Sequence, residues 1–563
     1  MLNVFRLSQG QEFDIMTGTQ AFAATTALTH TLAHSTGLTW QGPAESVVSD
    51  PAGIQAALLG FNEPVHIIAM PQGLGVSNAG AVQPGMNGKA PQLLGALPPL
   101  GIEDLGDAGF RDQYGVRCAY YAGAMANAIA STRMVIALGK AGLLGSFGAA
   151  GVVPARLEAA IHEIQTALPD GPYAFNLINS PNEPAMERGA AELYLKHGVR
   201  TVEASAYLDI TPPLVHYRVA GLEADNDGKI VARNRIIAKL SRKEVAARFL
   251  SPAPNDILDQ LVADGKITPD QAQWAQRVPM ADDITAEADS GGHTDNRPLV
   301  LLLPAILALR DELQARYQYA SVPRVGAAGG IATPHAAYAA FAMGAAFIAT
   351  GSVNQACVEA GASEHTRNLL AQAGMADVIM APAADMFEMG VKVQVLRRGT
   401  MFGPRALKLY ELYSRYGSIE EIPTEEREKL EKTVFKRELN AIWADTVAFF
   451  TERDPRQIER ANADPRQKMA LIFRWYLGLS SRWSNSGEKG RELDYQIWCG
   501  PAMGAFNDWA RGTYLEKPEN RSVTDVALQL LTGAAYLTRL RQLTAFGVRT
   551  TAGLEHYNPN RAL

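Results

Sequence analysis

The polar residues best suited to chemistry lie in one short segment, EADSGGHTDNRP, at residues 287–298. Within it, Gly291 and Gly292 allow a ligand to approach the main chain closely, because glycine carries no side chain. His293 follows this glycine pair, and histidine is the side chain best suited to deliver a proton near neutral pH. The segment therefore predicts a proton-transfer site at His293, although a purely structural histidine fits the sequence equally well.

Two segments further along the chain, AAGGIATP and ATGSVNQ, have the glycine content of a phosphate-binding site. Glycine lets bare backbone N–H groups approach phosphate oxygens, and the start of a helix adds positive potential there. A phosphate-bearing cofactor is therefore predicted at Gly329, Gly330 and Gly351. The alternative is that these glycines only form tight turns.

Two further features suit the ring of a cofactor. The segment AGAMANAIAS, residues 122–131, is a run of small residues around Met125 against which a flat ring system can lie. Lys239 ends a predicted strand, where a cation stabilises the negative charge of a reduced flavin. Each feature has a simpler explanation, namely helix packing by the small residues and a salt bridge at a barrel rim for Lys239.

The elements that must position these residues are strands of a parallel sheet. From about residue 113 to 357, short apolar or β-branched runs alternate with amphipathic stretches of helical period, which is typical of repeated βα units. Eight repeats favour a closed (β/α)8 TIM barrel over an open doubly wound sheet, and barrel enzymes carry their sites at the C-terminal ends of the strands. The eight predicted strands are residues 116–121, 142–147, 174–178, 201–204, 236–240, 283–288, 324–327 and 345–350.

Three zones follow from the composition along this α/β chain. Residues 1–112 are rich in Gly and Pro and predict an N-terminal appended region. Residues 113–389 predict the barrel, with a helical insertion around 252–279 in one crossover. Residues 390–563 predict a C-terminal helical region that packs against or over the barrel mouth. The helical stretches predicted there are 427–450, 467–479 and 522–546.

The overall composition excludes several classes of protein. Of the 563 residues, 47% are hydrophobic and 20% are charged, which is typical of folded globular proteins. The formal net charge of −6 argues against nucleic acid as the main partner, because neutralising phosphates needs a basic surface. The longest apolar run, residues 299–309, is too short to cross a bilayer. Since the start of the sequence shows no secretory signal, we expect a cytoplasmic protein with no membrane contact.

The cysteines and histidines do not predict a metal site. Cys118, Cys357 and Cys499 lie far apart and show no C-x-x-C spacing. His30 and His34 have the spacing of a helical pair, but the glutamate of the H-E-x-x-H motif is missing. We therefore expect no metal and free thiols, as in a reducing compartment.

Several strings resemble known families. AGAMANAIAS, EADSGGHTDN, GAAGGIATP and ATGSVNQ are similar to segments of the nitronate monooxygenase flavoprotein superfamily, which includes FMN-dependent enoyl-acyl-carrier-protein reductases. The longer strings FAMGAAFIATGSVNQACVEA, APAADMFEMGVKVQVLRRGTMF and DYQIWCGPAMGAFNDW resemble the PfaD family. PfaD proteins are the stand-alone, trans-acting enoyl reductases of polyunsaturated fatty acid synthases and trans-acyltransferase polyketide synthases. The resemblance covers about residues 60–545, and Asp289 and Ser290 lengthen the superfamily's E-A-G-G-H segment.

This resemblance implies a cofactor, a reaction and roles for residues. FMN would lie at the barrel mouth and NADPH would reduce it, after which the enoyl thioester would gain hydride at its β-carbon and a proton at its α-carbon. His293 matches the superfamily's active-site histidine and would deliver that proton or polarise the thioester carbonyl. Gly291 and Gly292 would lie near the cofactor. The other implied cofactor residues are Gly123, Ala124, Met125, Asn176 and Lys239 around the ring, and Gly329, Gly330, Gly351 and Ser352 at the phosphate.

The resemblance also implies partners, and two rival functions remain open. The expected partners are acyl carrier protein domains of a polyketide or fatty acid synthase, docked with help from the helical region after residue 390, and a homodimer is one expected assembly. The first rival is a nitronate monooxygenase, for which the large helical region would have no obvious purpose. The second is a non-catalytic flavin-binding scaffold within a synthase, which would be indifferent to replacing His293 by Ala.

Overall fold

A computed structural model describes residues 38–84, 91–181 and 183–563 of the chain. His30 and His34 lie outside the described residues. The chain forms two compact units: one contains the described residues up to Gly101 together with Ala535–Tyr557, and the other contains Ile102–Ala534 together with Asn558–Leu563. The zone boundaries at residues 112 and 389 rest on composition and stay predictions.

The smaller unit is built on antiparallel strands. Val65–Met70 is the central strand of a three-stranded sheet, and Leu38–Gln41 pairs with Ala81–Pro84 in a second sheet. The outer strands of the first sheet are Gly73–Ser77 and Leu93–Leu97, and the unit's first helix is Pro51–Leu59. Buried Arg539 donates hydrogen bonds to three main-chain carbonyls at or shortly after the end of this helix, those of Leu58, Gly60 and Glu63. The guanidinium therefore ties the end of this helix to the segment that follows it.

The larger unit contains a closed barrel of eight parallel strands, which confirms the predicted fold class. All eight predicted strands overlap the observed ones. The barrel closes where the last strand pairs with the first, in register at Thr350 and Ala122. The strands are β1 (Tyr120–Ala122), β2 (Leu144–Phe147), β3 (Ala174–Ile178), β4 (Thr201–Ser205), β5 (Arg235–Leu240), β6 (Asp283–Glu287), β7 (Arg324–Ala328) and β8 (Ile348–Thr350).

Helices follow the strands around the barrel. Several begin with proline at the first or second position, where the missing N–H group costs no hydrogen bond. These helices are Thr132–Lys140, Pro154–Ala167, Pro184–Lys196, Pro212–Val219, Lys243–Phe249, Leu299–Tyr317, Pro334–Ala342 and Ser352–Gln355. Two more, Asn255–Ala263 and Pro269–Ala275, lie within the predicted insertion around 252–279. The alternation of strand and helix places the carboxyl ends of all eight strands at one mouth of the barrel.

After the barrel come a small sheet and a group of helices, and part of this region encloses an aromatic core. The sheet joins Gly292–His293, Lys392–Leu396 and Val378–Pro382 in that order. Buried Phe473 and Tyr476 lie in the core that these elements enclose. The helices are Glu364–Ala371, Phe402–Arg415, Thr424–Leu430, Leu439–Arg453, Pro455–Ala463, Pro465–Ser486, Ala502–Ala510 and Val523–Ala545.

The prediction of one continuous helical stretch over 427–450 is wrong. The chain instead forms Thr424–Leu430, a π-helical turn over Glu431–Phe435, and Leu439–Arg453. Lys436 has a φ of 54°, a left-handed conformation that interrupts the helical hydrogen-bond ladder. The second helix then starts afresh, and the Glu431 carboxylate accepts the N–H of Leu439 at 2.7 Å. In the described part of the chain, no helix combines the length and the apolar character needed to span a bilayer.

Candidate active site

The carboxyl ends of the barrel strands surround a cavity of about 720 Å³. This volume lies within the range of roughly 300–1,000 Å³ that small-molecule and cofactor sites occupy. The structure brings every predicted site residue to its wall. These residues are Gly123, Ala124, Met125, Asn176, Lys239, Gly291, Gly292, His293, Gly329, Gly330, Gly351 and Ser352.

The loops after β7 and β8 form an open cradle of main chain. A Cβ atom added at Gly330 or at Gly351 would meet no atom within 4 Å, so bare backbone faces empty space at both positions. Gly329 and Gly330 have φ values of 80° and 77°, which only glycine adopts readily. At Gly329 a Cβ atom would also lie 2.5 Å from the main chain of Ala288. The cradle therefore has the shape and the exposed backbone that a phosphate group requires.

The loop after β1 is held in a strained conformation. Asn127 and Ala128 both have φ values of 57°, and a left-handed alanine costs about 1–2 kcal/mol. The amide of Asn127 donates a hydrogen bond to Ser481 Oγ at 2.9 Å, which ties the loop to helix Pro465–Ser486. Such strain persists where surrounding structure enforces it, often at functional sites. The loop therefore presents Gly123, Ala124 and Met125 from a rigid support, which the run of small residues alone did not reveal.

A buried ion triad lies at the ends of β4, β5 and β6. The Nζ atom of Lys239 lies 3.4 Å from Glu203 Oε1 and 3.2 Å from Glu287 Oε1. Glu203 is fully buried, and its other oxygen accepts the N–H of Ala124 at 2.7 Å. Burial lowers the pKa of Lys239, but the two carboxylates outweigh burial and raise the pKa above its ordinary value. Lys239 therefore forms salt bridges at the barrel rim and also remains a cation in the cavity wall.

His293 faces a carboxylate that sequence reasoning missed. Its Nε2 atom lies 3.3 Å from Asp385 Oδ1, an ion-pair distance at which the two groups are not aligned as a hydrogen bond. Burial lowers the pKa of His293, but the contact with Asp385 outweighs burial and raises the pKa above its ordinary value. Burial likewise raises the pKa of Asp385, whereas His293 brings it below its usual range. Only the string APAADMFEMG, quoted above for its family resemblance, pointed to this region.

Three of the predicted residues also have structural tasks. A Cβ atom at Gly291 would lie 2.9–3.0 Å from the main chain of Cys499, so that position needs glycine for close packing. Gly292 has a φ of 82°, again in the left-handed region. The amide of Asn176 donates to Glu203 O at 3.0 Å and to Ser205 Oγ at 2.8 Å, which connects β3 to β4 at the floor of the cavity.

The region after the barrel lines the cavity, in agreement with the prediction that the C-terminal helical region packs against or over the barrel mouth, but its individual wall residues were not predicted. Arg474 pairs with Glu388 at 3.0 Å, and Arg453 pairs with Glu183 at 2.6 Å. Amphipathic patterns indicate that a helix face is buried but not what it faces. The wall residues contributed from this region are Ala384, Asp385, Val393, Asp445, Thr446, Phe449, Phe450, Arg453, Leu471, Arg474, Trp475, Leu477, Gly478, Leu479, Ser481, Arg482, Gln496, Trp498 and Ala502.

One group of side chains outside the cavity has the spacing of a metal site. The ligand atoms of Glu158, His162 and His197 all lie within 4.8 Å of one another. Glu158 Oε1, however, is already 2.7 Å from both Lys196 Nζ and His197 Nε2. Ion pairing accounts for this group, and the expectation of no metal stays a prediction.

Comparison with protein families identifies three regions of the chain. Residues 118–447, which include the whole barrel, match the nitronate monooxygenase model. Residues 40–99 match the N-terminal domain of the fatty acid synthase subunit PfaD. Residues 416–495 match the inserted helical domain of [acyl-carrier-protein] S-malonyltransferase. The barrel, the smaller unit and the helical wall of the cavity thus have separate family signatures.

Two relatives of the chain are synthase proteins. The chain is 52% identical over 454 residues to a polyunsaturated fatty acid synthase protein of Thraustochytrium sp. (strain ATCC 26185 / S-3), an alignment that covers 79% of this chain and 30% of that protein. It is 47% identical over 445 residues to the polyketide biosynthesis protein PksE of Bacillus subtilis (strain 168), covering 79% of this chain and 58% of that protein. The chain therefore spans less than two thirds of the length of either relative.

A solved structure covers the same region. The enoyl reductase domain of MlnA, from the macrolactin biosynthesis cluster of Bacillus amyloliquefaciens, is 41% identical to the chain with a TM-score of 0.75. The alignment covers 79% of this chain and 100% of that domain. The resemblance inferred from sequence strings is thereby confirmed. The chain belongs to the nitronate monooxygenase family and to its PfaD-type group, and it is similar to the MlnA enoyl reductase domain.

Proposed function

We propose that the chain reduces the α,β double bond of an enoyl thioester carried on an acyl carrier protein, with FMN as bound cofactor and NADPH as reductant. The observation that carries this proposal is the single cavity that gathers the glycine cradle, the Lys239 triad and the His293–Asp385 pair. The sequence identity of 41% to the MlnA enoyl reductase domain, over the full length of that domain, supports the same activity. The synthase relatives support work on carrier-bound chains in polyketide or polyunsaturated fatty acid synthesis.

The residues present fit FMN. The open main chain at Gly330 and Gly351 would take its phosphate, together with Gly329 and Ser352. The rigid loop after β1 and Lys239 would hold its ring. When bound, FMN supplies the hydride that NADPH provides and that the β-carbon of the enoyl thioester receives.

The chain's own charges would then support the reduction. Lys239 remains a cation because its pKa is raised, and a positive charge beside a flavin ring favours the reduced form. The imidazolium of His293 donates the proton that the substrate's α-carbon gains, or polarises the thioester carbonyl through that proton. Asp385 raises the pKa of His293, which favours its protonated form.

The walls from the C-terminal helices would position the acyl chain. Phe449, Phe450 and Trp475 line the cavity and offer apolar surface to an acyl group. Excluding water from this space strengthens the electrostatic contacts of His293 and Lys239. An enzyme that acts on carrier-bound acyl chains needs such an apolar wall, whereas an enzyme that oxidises small nitronates does not. We therefore prefer the enoyl reductase function to that of a nitronate monooxygenase.

An anaerobic titration tests the proposal. The visible spectrum of the purified protein is recorded, NADPH is added, and a crotonyl thioester on acyl carrier protein follows. We expect a flavin absorbance that NADPH bleaches and that the crotonyl substrate restores. Absorbance that returns only with oxygen would support an oxidase or monooxygenase, and a colourless protein that FMN cannot reconstitute would contradict the cofactor.

A further inference from the structure

A second cavity of about 820 Å³ adjoins the first. The two share wall residues Asn127, Gly151, Val152 and Arg482, so they are neighbours on either side of the strained loop after β1. The second cavity extends between helices Pro154–Ala167 and Pro465–Ser486. Arg482 lines both cavities, so a ligand whose reacting end lies beside His293 can be contacted by Arg482 at its other end.

The wall of the second cavity carries uncompensated positive charge. Arg156 and Arg482 both line it, and in the described part of the chain neither has a carboxylate within ion-pair distance. Partial burial lowers the pKa of Arg482, and the neighbouring charges of Arg453 and Arg156 lower it further. Arg453, unlike Arg156 and Arg482, has a counter-charge, because it forms an ion pair with Glu183. Two cations that repel each other without a counter-charge favour an anion between them.

The remaining polar residues of this wall leave the excess charge in place. Arg133 adds another cation, whose guanidinium donates only a long hydrogen bond of 3.4 Å to Val358 O. Glu163 supplies the single carboxylate among the cavity's wall residues. The balance of three arginines against one glutamate is positive.

An unused amide lies beside these arginines. Asn485 lines the same cavity, and its Oδ1 atom is buried without a hydrogen-bond partner. A buried polar group without a partner destabilises the fold unless a ligand or water satisfies it. Arg156 and Arg482 thus present guanidinium donors that have no acceptor on the protein, and the unpartnered Asn485 oxygen lies beside them.

We propose that Arg156 and Arg482 bind a phosphate group of a ligand whose reacting end occupies the first cavity. The inference rests on the proposed function, which supplies two such ligands. One is the 4′-phosphopantetheine arm that carries the enoyl thioester, and the other is NADPH. Arginine suits either, because its planar guanidinium pairs with two phosphate oxygens at once.

Calorimetric binding to the FMN-loaded protein tests the proposal without relying on turnover. The probes are 4′-phosphopantetheine, pantetheine and NADPH, and the variants are Arg156→Gln and Arg482→Gln, singly and combined. Arg233→Gln is the matched control, since Arg233 pairs with Glu223 and lines neither cavity. Both target side chains are largely exposed, so we expect their substitution to leave folding intact, and circular dichroism melting checks this.

The outcomes separate the two ligands. If the arm is the source, the wild type binds 4′-phosphopantetheine at least about tenfold more tightly than pantetheine, and the double variant loses that difference while the control keeps it. If NADPH is the source, its dissociation constant rises about tenfold in the double variant instead. Unchanged binding of both phosphate probes in the double variant would overturn the proposal. Absence of enoyl reduction by wild-type protein that shows these binding differences would instead reject the proposed function alone.

Discussion

His293 and Asp385 lie 3.3 Å apart at the barrel mouth, although they belong to different segments of the chain. His293 follows β6, whereas Asp385 lies between the strands Val378–Pro382 and Lys392–Leu396. The small sheet brings them together because Gly292–His293 pairs directly with Lys392–Leu396. This pairing places a carboxylate against the imidazole, which raises the pKa of His293 against the effect of burial.

Replacing Asp385 by Asn should shift the pH dependence of turnover. Without the carboxylate the pKa of His293 falls, so the protonated fraction disappears at a lower pH. We expect the alkaline limb of kcat to move to lower pH, with a greater loss of rate at pH 8 than at pH 6. A steady-state pH profile measures the shift. Asp508→Asn, an exposed carboxylate paired with Arg511, is the control and should leave the profile unchanged.

The His293–Asp385 pair also makes the stability of the fold depend on pH in a defined direction. Because the folded-state pKa of His293 is raised, its contribution to stability is fully present below the ordinary histidine pKa of about 6.5 and is lost as the pH rises through the raised value. Thermal unfolding midpoints of wild type and Asp385→Asn should therefore converge at alkaline pH. A difference that grows with pH would contradict this account.

Replacing His293 by Ala should slow enoyl reduction by about 10²–10⁴-fold, the usual contribution of a positioned general acid. Flavin binding should be retained, because the glycine cradle and Lys239 are untouched. Stopped-flow kinetics separate reduction by NADPH, which should stay near the wild-type rate, from reoxidation by the enoyl thioester, which should not. His365→Ala, at an exposed site outside the cavity, is the control. Equal loss in both half-reactions would contradict the role of His293.

Replacing Lys239 by Met should destabilise the protein by about 3–5 kcal/mol, because Glu203 would be left fully buried without its cation. Adding Glu203→Gln should restore part of that loss, since the uncompensated charge is then gone. Denaturant unfolding monitored by tryptophan fluorescence measures both variants. The raised pKa of Lys239 keeps this pair charged at neutral pH, so its contribution is lost only as the pH rises through that raised value. If Lys239→Met alone were as stable as the wild type, the stabilising role of the ion triad would be contradicted.

Replacing Gly351 by Ala separates cofactor binding from folding. Gly351 lies outside the left-handed region, and its added Cβ would meet no protein atom, so the unfolding midpoint of the flavin-free protein should not change. The methyl group would occupy the cradle, and we expect FMN affinity to fall by about tenfold or more. Fluorescence titration with FMN measures the affinity. Gly189→Ala, a helical glycine that also has open space around its Cβ, is the matched control and should bind FMN as the wild type does.

The sequence by itself determined the barrel and the position of its site. Strand and helix periods are local properties, and all eight predicted strands overlap the observed ones. A parallel barrel gathers the carboxyl ends of its strands at one mouth, so residues predicted at strand ends had to meet. Gly329, Gly351 and His293 therefore line one cavity, as their positions after β7, β8 and β6 predict.

Only the tertiary structure decided the partners of those residues. Asp385, Glu203 and Glu287 take their roles from contacts across strands or between distant segments, and no local period encodes such contacts. The left-handed Lys436 that breaks the predicted helix is likewise held by its surroundings, not by its own propensity. The place of Arg482 in the walls of both cavities depends on where helix Pro465–Ser486 packs. An amphipathic pattern does not predict this, because it marks a buried face without identifying the surface that covers it.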